Sequence, residues 1–271
     1  MKVSQETSES LTQQRDPVTL AGVQFDPILE KEVVEKVLGE LSAGRGGQII
    51  TPNVDILHRA MRSEEARRHI AVSEITVADG KPLIWASQIA GNALPARVAG
   101  SDLIWSLSEA MAGAGRSVYL LGGEPGTAER AEQVLRERFP SIKLAGHLSP
   151  SFGFDTRSDE YDAVCDEVVG ANPDMVFVGF GFPKQERVIE RLRPRLPQTW
   201  FMGCGAAIGF VAGVHSRAPE WMQKSGLEWV HRLAGEPRRL VRRYLIDDAP
   251  FALRLLGSAA ASRLKKKGDA R

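Results

Sequence analysis

Cysteine is almost missing from this chain: Cys165 and Cys204 are the only two among 271 residues. Neither stands with another cysteine or a histidine at metal-ligand spacing, so no disulfide framework or structural zinc is indicated and a reducing compartment fits. A targeting leader is also lacking. The opening MKVSQETSESLTQQRD is polar and has no apolar h-region, so residues 1–16 read as a flexible tail and the protein is expected to stay in the cytosol. Long charge-free runs are scarce as well. The longest, LPQTWFMGCGAAIGFVAGVHS at 196–216, contains Pro197, Gln198 and four glycines. That composition suits a buried strand entering a tight turn and a small-residue helix start better than a lipid-exposed helix. No internal repeat is present, and low complexity is confined to the last few residues.

What is present is the composition of an ordinary globular protein, 43% hydrophobic and 25% charged, enough for one large domain with or without an appendage. The net charge of +1 conceals an asymmetry. Residues 1–213 carry 22 Lys and Arg against 28 Asp and Glu, a net of −6, whereas residues 214–271 carry 13 against 6, a net of +7. A basic end on an acidic body points to an anionic partner: nucleic acid, anionic lipid or a phosphorylated ligand.

Apolar runs at 47–53, 70–80, 117–123, 142–148, 174–181 and 199–205 alternate with helix-period segments near 54–68, 81–91, 101–114, 126–138, 158–171 and 184–195. That alternation predicts an α/β fold, a mostly parallel sheet with helices on both faces, over 17–213. After about residue 213 the pattern changes. Leu227, Val230, Leu233, Leu240, Val241, Tyr244 and Leu245 recur at roughly helical spacing among arginines, so 214–271 reads as a basic, amphipathic helical appendage.

Ligands of open parallel sheets bind at the carboxyl ends of strands, which directs attention to the residues just after each run. In LLGGEPGTAERA, Gly122 and Gly123 lead from a strand into a helix start that could cradle a phosphate, or they form a plain turn. GCGAAIG at 203–209, which includes Gly205, is close to a nicotinamide-cofactor fingerprint. It follows the last expected strand, however, so no further strand can supply the ribose-binding acid. Thr51 and Asn53 flank Pro52 at a strand end, and Asn53 serves either the site or the N-cap of the next helix. Gly181, Lys184 and Gln185 leave another strand in GFPKQERV; Lys184 alone reads equally as a solvated charge.

Asp79 follows ITVA directly and precedes Gly80 and Pro82. It is either an N-cap or a carboxylate at the mouth of the sheet, placed to act as a general base. In HRLAGEPRRLVRRY, Arg232, Arg239 and Arg242 lie seven and three residues apart, which a helix of normal pitch brings toward one side. Arginine's fixed fork of donors suits a diphosphate; a solvated charged face is the alternative.

Together TPNVD at 51, ADGKPLIW at 78, RVAGSDL at 97, LLGGEPGTAERA at 120, GFGFPKQE at 179, GCGAAIGFVAG at 203 and RAPEWMQKSGLEWVHRLAGEPRRLVRRY at 217 resemble the WecG/TagA/CpsF glycosyltransferases, glycosyltransferase family 26. The resemblance spans about 51–244 and leaves out the first 16 residues and the tail after 245. It implies a Rossmann-like core with a C-terminal appendage that attaches to the membrane and completes the site. The implied reaction is inverting, needs no metal or other cofactor, and moves a sugar from a UDP-sugar to a polyprenyl-diphosphate-linked acceptor in surface polysaccharide synthesis. The sugar would be N-acetylmannosamine, its uronic acid or glucose. By resemblance Asp79 is the base; Thr51, Asn53 and Gln185 are polar residues near the donor; Arg232, Arg239 and Arg242 hold the diphosphate. The expected location is the inner face of the cell membrane, bound peripherally, with no nucleic acid partner and with room for a homo-oligomer. Two other readings stay open: a nucleotide- or nucleic-acid-binding protein without chemistry, and an NADP-linked reductase resting on GCGAAIG.

Overall fold

The structure is a computed structural model that describes residues 15–235 and 237–269; the side chains of residues 220, 224, 239 and 265–269 lie outside that description. The described chain enters through an antiparallel hairpin, β1 (Val18–Leu20) and β2 (Val23–Phe25). The outer residues of each strand are buried and the middle one is exposed, the period of two that a half-buried strand requires. Its two-residue turn has φ +48° at Ala21 and +78° at Gly22, the doubly positive pair a tight hairpin demands. Helix α1 (Glu30–Ser42) follows and buries Val33, Val37 and Leu41 at four-residue spacing. Neither the hairpin nor α1 is among the elements expected from the sequence.

Six parallel strands form the sheet: β3 (Gly47–Ile50), β4 (Ile75–Thr76), β5 (Ser117–Gly122), β6 (Lys143–Leu148), β7 (Met175–Gly179) and β8 (Trp200–Gly203). Each lies inside an expected apolar run. Their order is β4-β3-β8-β7-β5-β6, which differs from the 3-2-1-4-5-6 order of a dinucleotide-binding sheet. The connecting helices are α2 (Val54–Ala60), α3 (Glu64–Ala71), α4 (Lys81–Ala90), α5 (Gly100–Gly113), α6 (Thr127–Arg138), α7 (Ser158–Ala171) and α8 (Lys184–Leu192), with α9 (Ala207–Val211) after the last strand. The single helix expected over 54–68 breaks into α2 and α3. Ser63 starts the second one, its Oγ accepting from the Ala66 amide at 3.2 Å.

Alternation along the strands sends side chains to opposite faces. From β5, Val118 and Leu120 join α1, α5, α6 and α9 in one core, while Tyr119 and Leu121 join α7 and α8 in another. β7 and β8 divide in the same way, with Met175, Phe177, Trp200 and Met202 on one side and Val176, Val178 and Phe201 on the other. A third cluster packs the hairpin against α2, α3 and α4. Asp26 ties this hairpin to the short edge strand, since Thr76 N donates to its Oδ2 at 2.7 Å and Asp26 N donates to Thr76 O at 2.8 Å. The edge at β4 is thereby covered.

Beyond residue 213 the chain is helical: α10 (Glu220–Ser225), α11 (Glu228–Gly235), α12 (Pro237–Val241), a π-helical stretch Arg242–Asp248, and α13 (Ala249–Asp269). α13 runs back across the core and buries Leu255 and Ala259 in the cluster that contains Leu83, Ile84 and Ala86 of α4. Among the described residues no helix is long and apolar enough to cross a membrane; the run 196–216 is instead β8, its glycine turn and α9.

Candidate active site

A parallel sheet points all its strand carboxyl ends to one side, and there a cleft of about 660 Å³ opens. Its walls are the turns after all six strands, β3 to β8, closed from above by residues of α11 and the π-helical stretch. The glycines do local work in these turns. Gly122 (φ +127°) and Gly123 (φ +82°) occupy left-handed backbone where an added Cβ would strike Gly179 O at 2.7 Å and the Thr127 side chain at 2.7 Å. Gly123, Gly181 and Gly205 line the cleft, whereas Gly122 lies behind it.

Asp79 opens onto the cleft with 28% of its side chain exposed. It does not cap α4: Gly80, at φ +137°, holds that position with no side-chain cap, and Pro82 sits in the first turn. The carboxylate is therefore left to the cleft. Arg97 Nη1 lies 3.6 Å from Asp79 Oδ1, but it is closer to Glu228 of α11, at 2.9 Å, and its Nη2 lies 3.5 Å from Asp102. Burial pushes the Asp79 carboxyl up to about 6; Arg97 pulls it down, Glu228 pushes it up, Arg232 pulls it down and Asp102 pushes it up. At neutral pH it is mostly an anion and still basic enough to accept a proton.

The expected polar residues divide by role. Thr51 is buried at the end of β3 beside Gly100, and lines the cleft. Asn53 lines the cleft and also caps α2, its Oδ1 accepting from Ile56 N at 3.0 Å. Gln185 is buried and acts as a clamp: its Oε1 accepts from both Gly181 N and Gly205 N at 3.0 Å, joining the turns after β7 and β8. Its Nε2 donates to Glu186 Oε1 at 3.0 Å, which sets the orientation of the amide. Burial pushes Glu186 up to about 7, against the hydrogen bonds from Gln185 and its own backbone. Lys184 is held and not simply solvated, 2.6 Å from Asp155 and 4.5 Å above the Phe154 ring.

The appendage arginines separate. Arg232 lines the cleft, with its guanidinium 6.0 Å from the Phe210 ring centre. Arg239 falls on α12, and its side chain is outside the described residues. Arg242 is exposed and away from the cleft; its neighbour Arg243 lines it instead, 2.8 Å from Asp55. The reason is the backbone. Regular helical spacing would bring the three to one side, whereas the backbone widens to π-helical turns from Arg242.

Sequence reasoning gave no site role to Arg97, Glu228 or Arg243. Arg97 does stand in RVAGSDL, but its pairing with Glu228 across 131 positions has no local signature. Among the described residues no group of three or more His, Cys, Asp or Glu side chains is arranged to hold a metal ion. GCGAAIG lies after β8, an interior strand with no following strand, which leaves the reductase reading without its ribose-binding acid.

The chain matches the model of the glycosyl transferase WecG/TagA/CpsF family over residues 18–265, from the hairpin through most of α13. It is 32% identical over 200 residues to the N-acetylglucosaminyldiphosphoundecaprenol N-acetyl-beta-D-mannosaminyltransferase of Bacillus spizizenii (strain ATCC 23059 / NRRL B-14472 / W23), covering 73% of this chain and 75% of that one. It is 28% identical over 232 residues to the enzyme of the same description from Bacillus subtilis (strain 168), covering 86% and 85%. To that of Staphylococcus aureus (strain MW2) it is 29% identical over 227 residues, covering 83% and 87%.

Proposed function

The chain belongs to the glycosyltransferase WecG/TagA/CpsF family, and on that premise we propose that it transfers N-acetylmannosamine from a UDP-sugar to an N-acetylglucosaminyl-diphosphate-polyprenol. The relatives supply the sugar and acceptor, since their descriptions name both. They also name a β-linked product, which from an α-linked nucleotide sugar calls for a single inversion. The reading as a binding protein without chemistry gives way, because the family and the described relatives are transferases.

Asp79 is the general base. Its carboxylate takes the proton of the acceptor hydroxyl as that oxygen attacks the anomeric carbon, while the bond from that carbon to the diphosphate oxygen breaks. The electron pair leaves with UDP. Charge growing on the diphosphate is met by appendage arginines, of which Arg232 lines the cleft. Thr51 and Asn53 line the floor beside Asp79, and the Gln185 clamp holds the glycine turns that face the donor. The observation that carries the reading is an uncapped, half-covered carboxylate at the mouth of a parallel sheet, raised to about 6 by burial.

A lipid-linked acceptor places the work at a membrane surface. Trp221, Trp229, Leu245 and Ile246 are exposed on the helices after residue 213, a set that supports interfacial docking of this end with basic residues beside it. The testing experiment is UDP release across a panel of UDP-sugars with an N-acetylglucosaminyl-diphosphate-lipid acceptor. UDP-N-acetylmannosamine should turn over fastest, and Asp79→Asn should lower kcat by at least 100-fold, within the usual span for a general base. A rate unchanged in the variant removes Asp79 from the mechanism.

A further inference from the structure

We propose that Phe152, on the rim of the cleft, is a stacking platform for the heterocyclic base of the nucleotide donor. The ring has no cover: Phe152 is 101% exposed, whereas Phe154, two residues on, is 1% exposed in the core. Its loop is nevertheless braced on both shoulders. Ser149 Oγ donates to Gly122 O at 3.0 Å and accepts from Ala128 N at 3.2 Å, pinning the loop to the β5–α6 turn. Arg157 Nη2 donates to Ser151 Oγ at 2.8 Å and to Phe152 O at 3.4 Å, and Ser151 Oγ donates to Glu160 at 2.8 Å. A loop free to fold down could bury its phenylalanine. This one holds the ring out over the cleft, which it lines.

The occupant follows from the layout of the sheet, and it rests on the donor reading above. Asp79 stands beyond β4 and Phe152 beyond β6, the two edges of a six-stranded sheet. Both line the same cleft, from the sides of its two edge strands. The anomeric carbon of the donor must come to the Asp79 end, so the far end of the donor, its base, is directed toward the β6 edge. Of the two substrates only the nucleotide carries an aromatic ring. Stacking tolerates any base, so Phe152 contributes affinity for the nucleotide and leaves the choice of base to other contacts.

The test is calorimetric titration of the full chain, without lipid, with UDP and separately with inorganic pyrophosphate. Phe152→Ala and Phe152→Leu should weaken UDP about tenfold, with Phe152→Trp restoring it, within the range measured for base–aromatic contacts. All three variants should bind pyrophosphate and melt as the wild type does. If Phe152→Ala leaves UDP affinity unchanged, the stacking role is wrong while the donor site stands, and loss of vesicle binding in that variant would reassign the ring to the membrane. Equal weakening of UDP and pyrophosphate also overturns it, as the loop would then be acting on the phosphates. Wild-type protein that fails to bind UDP refutes the donor assignment and the stacking with it.

Discussion

Replacing Arg97 with methionine should move the titration of Asp79 and, with it, the pH dependence of transfer. The guanidinium is 3.6 Å from Asp79 Oδ1, and the two side chains are 15% and 28% exposed. At an effective dielectric constant of 20, unit charges at that distance attract by about 4 to 5 kcal/mol, equivalent to about three pKa units. Partial solvent access and the second positive charge at Arg232 reduce this, and one to two units is the expected size of the effect. The direction follows from electrostatics: Arg97 lowers the Asp79 pKa, and without it the repulsion from Glu228 and Asp102 is opposed by Arg232 alone. The acid limb of kcat/KM against pH should therefore rise from near 6 to between about 7 and 8. At pH 7 the variant should lose about two- to tenfold in rate, and at pH 9 it should recover most of it. Glu228→Gln should move the limb the other way, because Glu228 pushes the Asp79 pKa up and also holds Arg97, 2.9 Å away, off the carboxylate. An acid limb that stays in place in Arg97→Met, or a loss that persists at pH 9, would refute the reasoning and leave Arg97 with a merely structural part.

Two further outcomes concern stability. Asp79 titrates near 6 in the folded chain against 3.8 for the free side chain, so between those values the folded state holds the extra proton. The charge then costs stability progressively as pH rises from about 4 to 6, and in full above 7. Asp79→Asn should thus be about 1 to 3 kcal/mol more stable than wild type at pH 8 and equal to it below pH 4, by urea denaturation at the two pH values; a difference independent of pH would contradict the assigned burial cost. At Gly203 an added Cβ would lie 2.4 Å from Gln185 Nε2 and 2.6 Å from Glu186 Oε1. Gly203→Ala should break the clamp, costing about 2 to 4 kcal/mol and most of the activity, whereas Gly39→Ala, in open space on α1, should be neutral or stabilising by up to about 1 kcal/mol. Equal melting temperatures for the Gly203 variant and wild type would show that the clamp gives way freely.

Much of the fold was legible because its signals are local. Six short apolar runs became six parallel strands, and the glycine turns after them lie at left-handed φ values that no periodicity shows but the residue type announces. What was missed had weaker local marks. The hairpin turns on Ala21-Gly22 in place of the usual Asn-Gly, so only the alternation of VTL and VQF could have revealed it. The break between α2 and α3 rests on one hydroxyl, Ser63, in a stretch whose apolar spacing continues past it.

The site divides along the same line, and the division has a physical cause. Asp79 could be located from sequence because a strand, an acid, a glycine and a proline in succession define a turn at the end of a sheet. Its protonation behaviour could not be, since the charges that set it come from three places in the chain: Arg97 and Asp102 before and in α5, Glu228 and Arg232 on α11. The basic excess of the last 58 residues therefore conceals an acidic contribution that matters more to the base than the net charge does. Glu228 raises the Asp79 pKa and holds Arg97, while Arg232 opposes it from the same helix four positions on. An appendage read only as a source of positive charge would make Asp79 a weaker base when docked. The paired placement of Glu228 and Arg232 lets α11 bring cationic charge to a diphosphate without removing the basicity that the transfer needs.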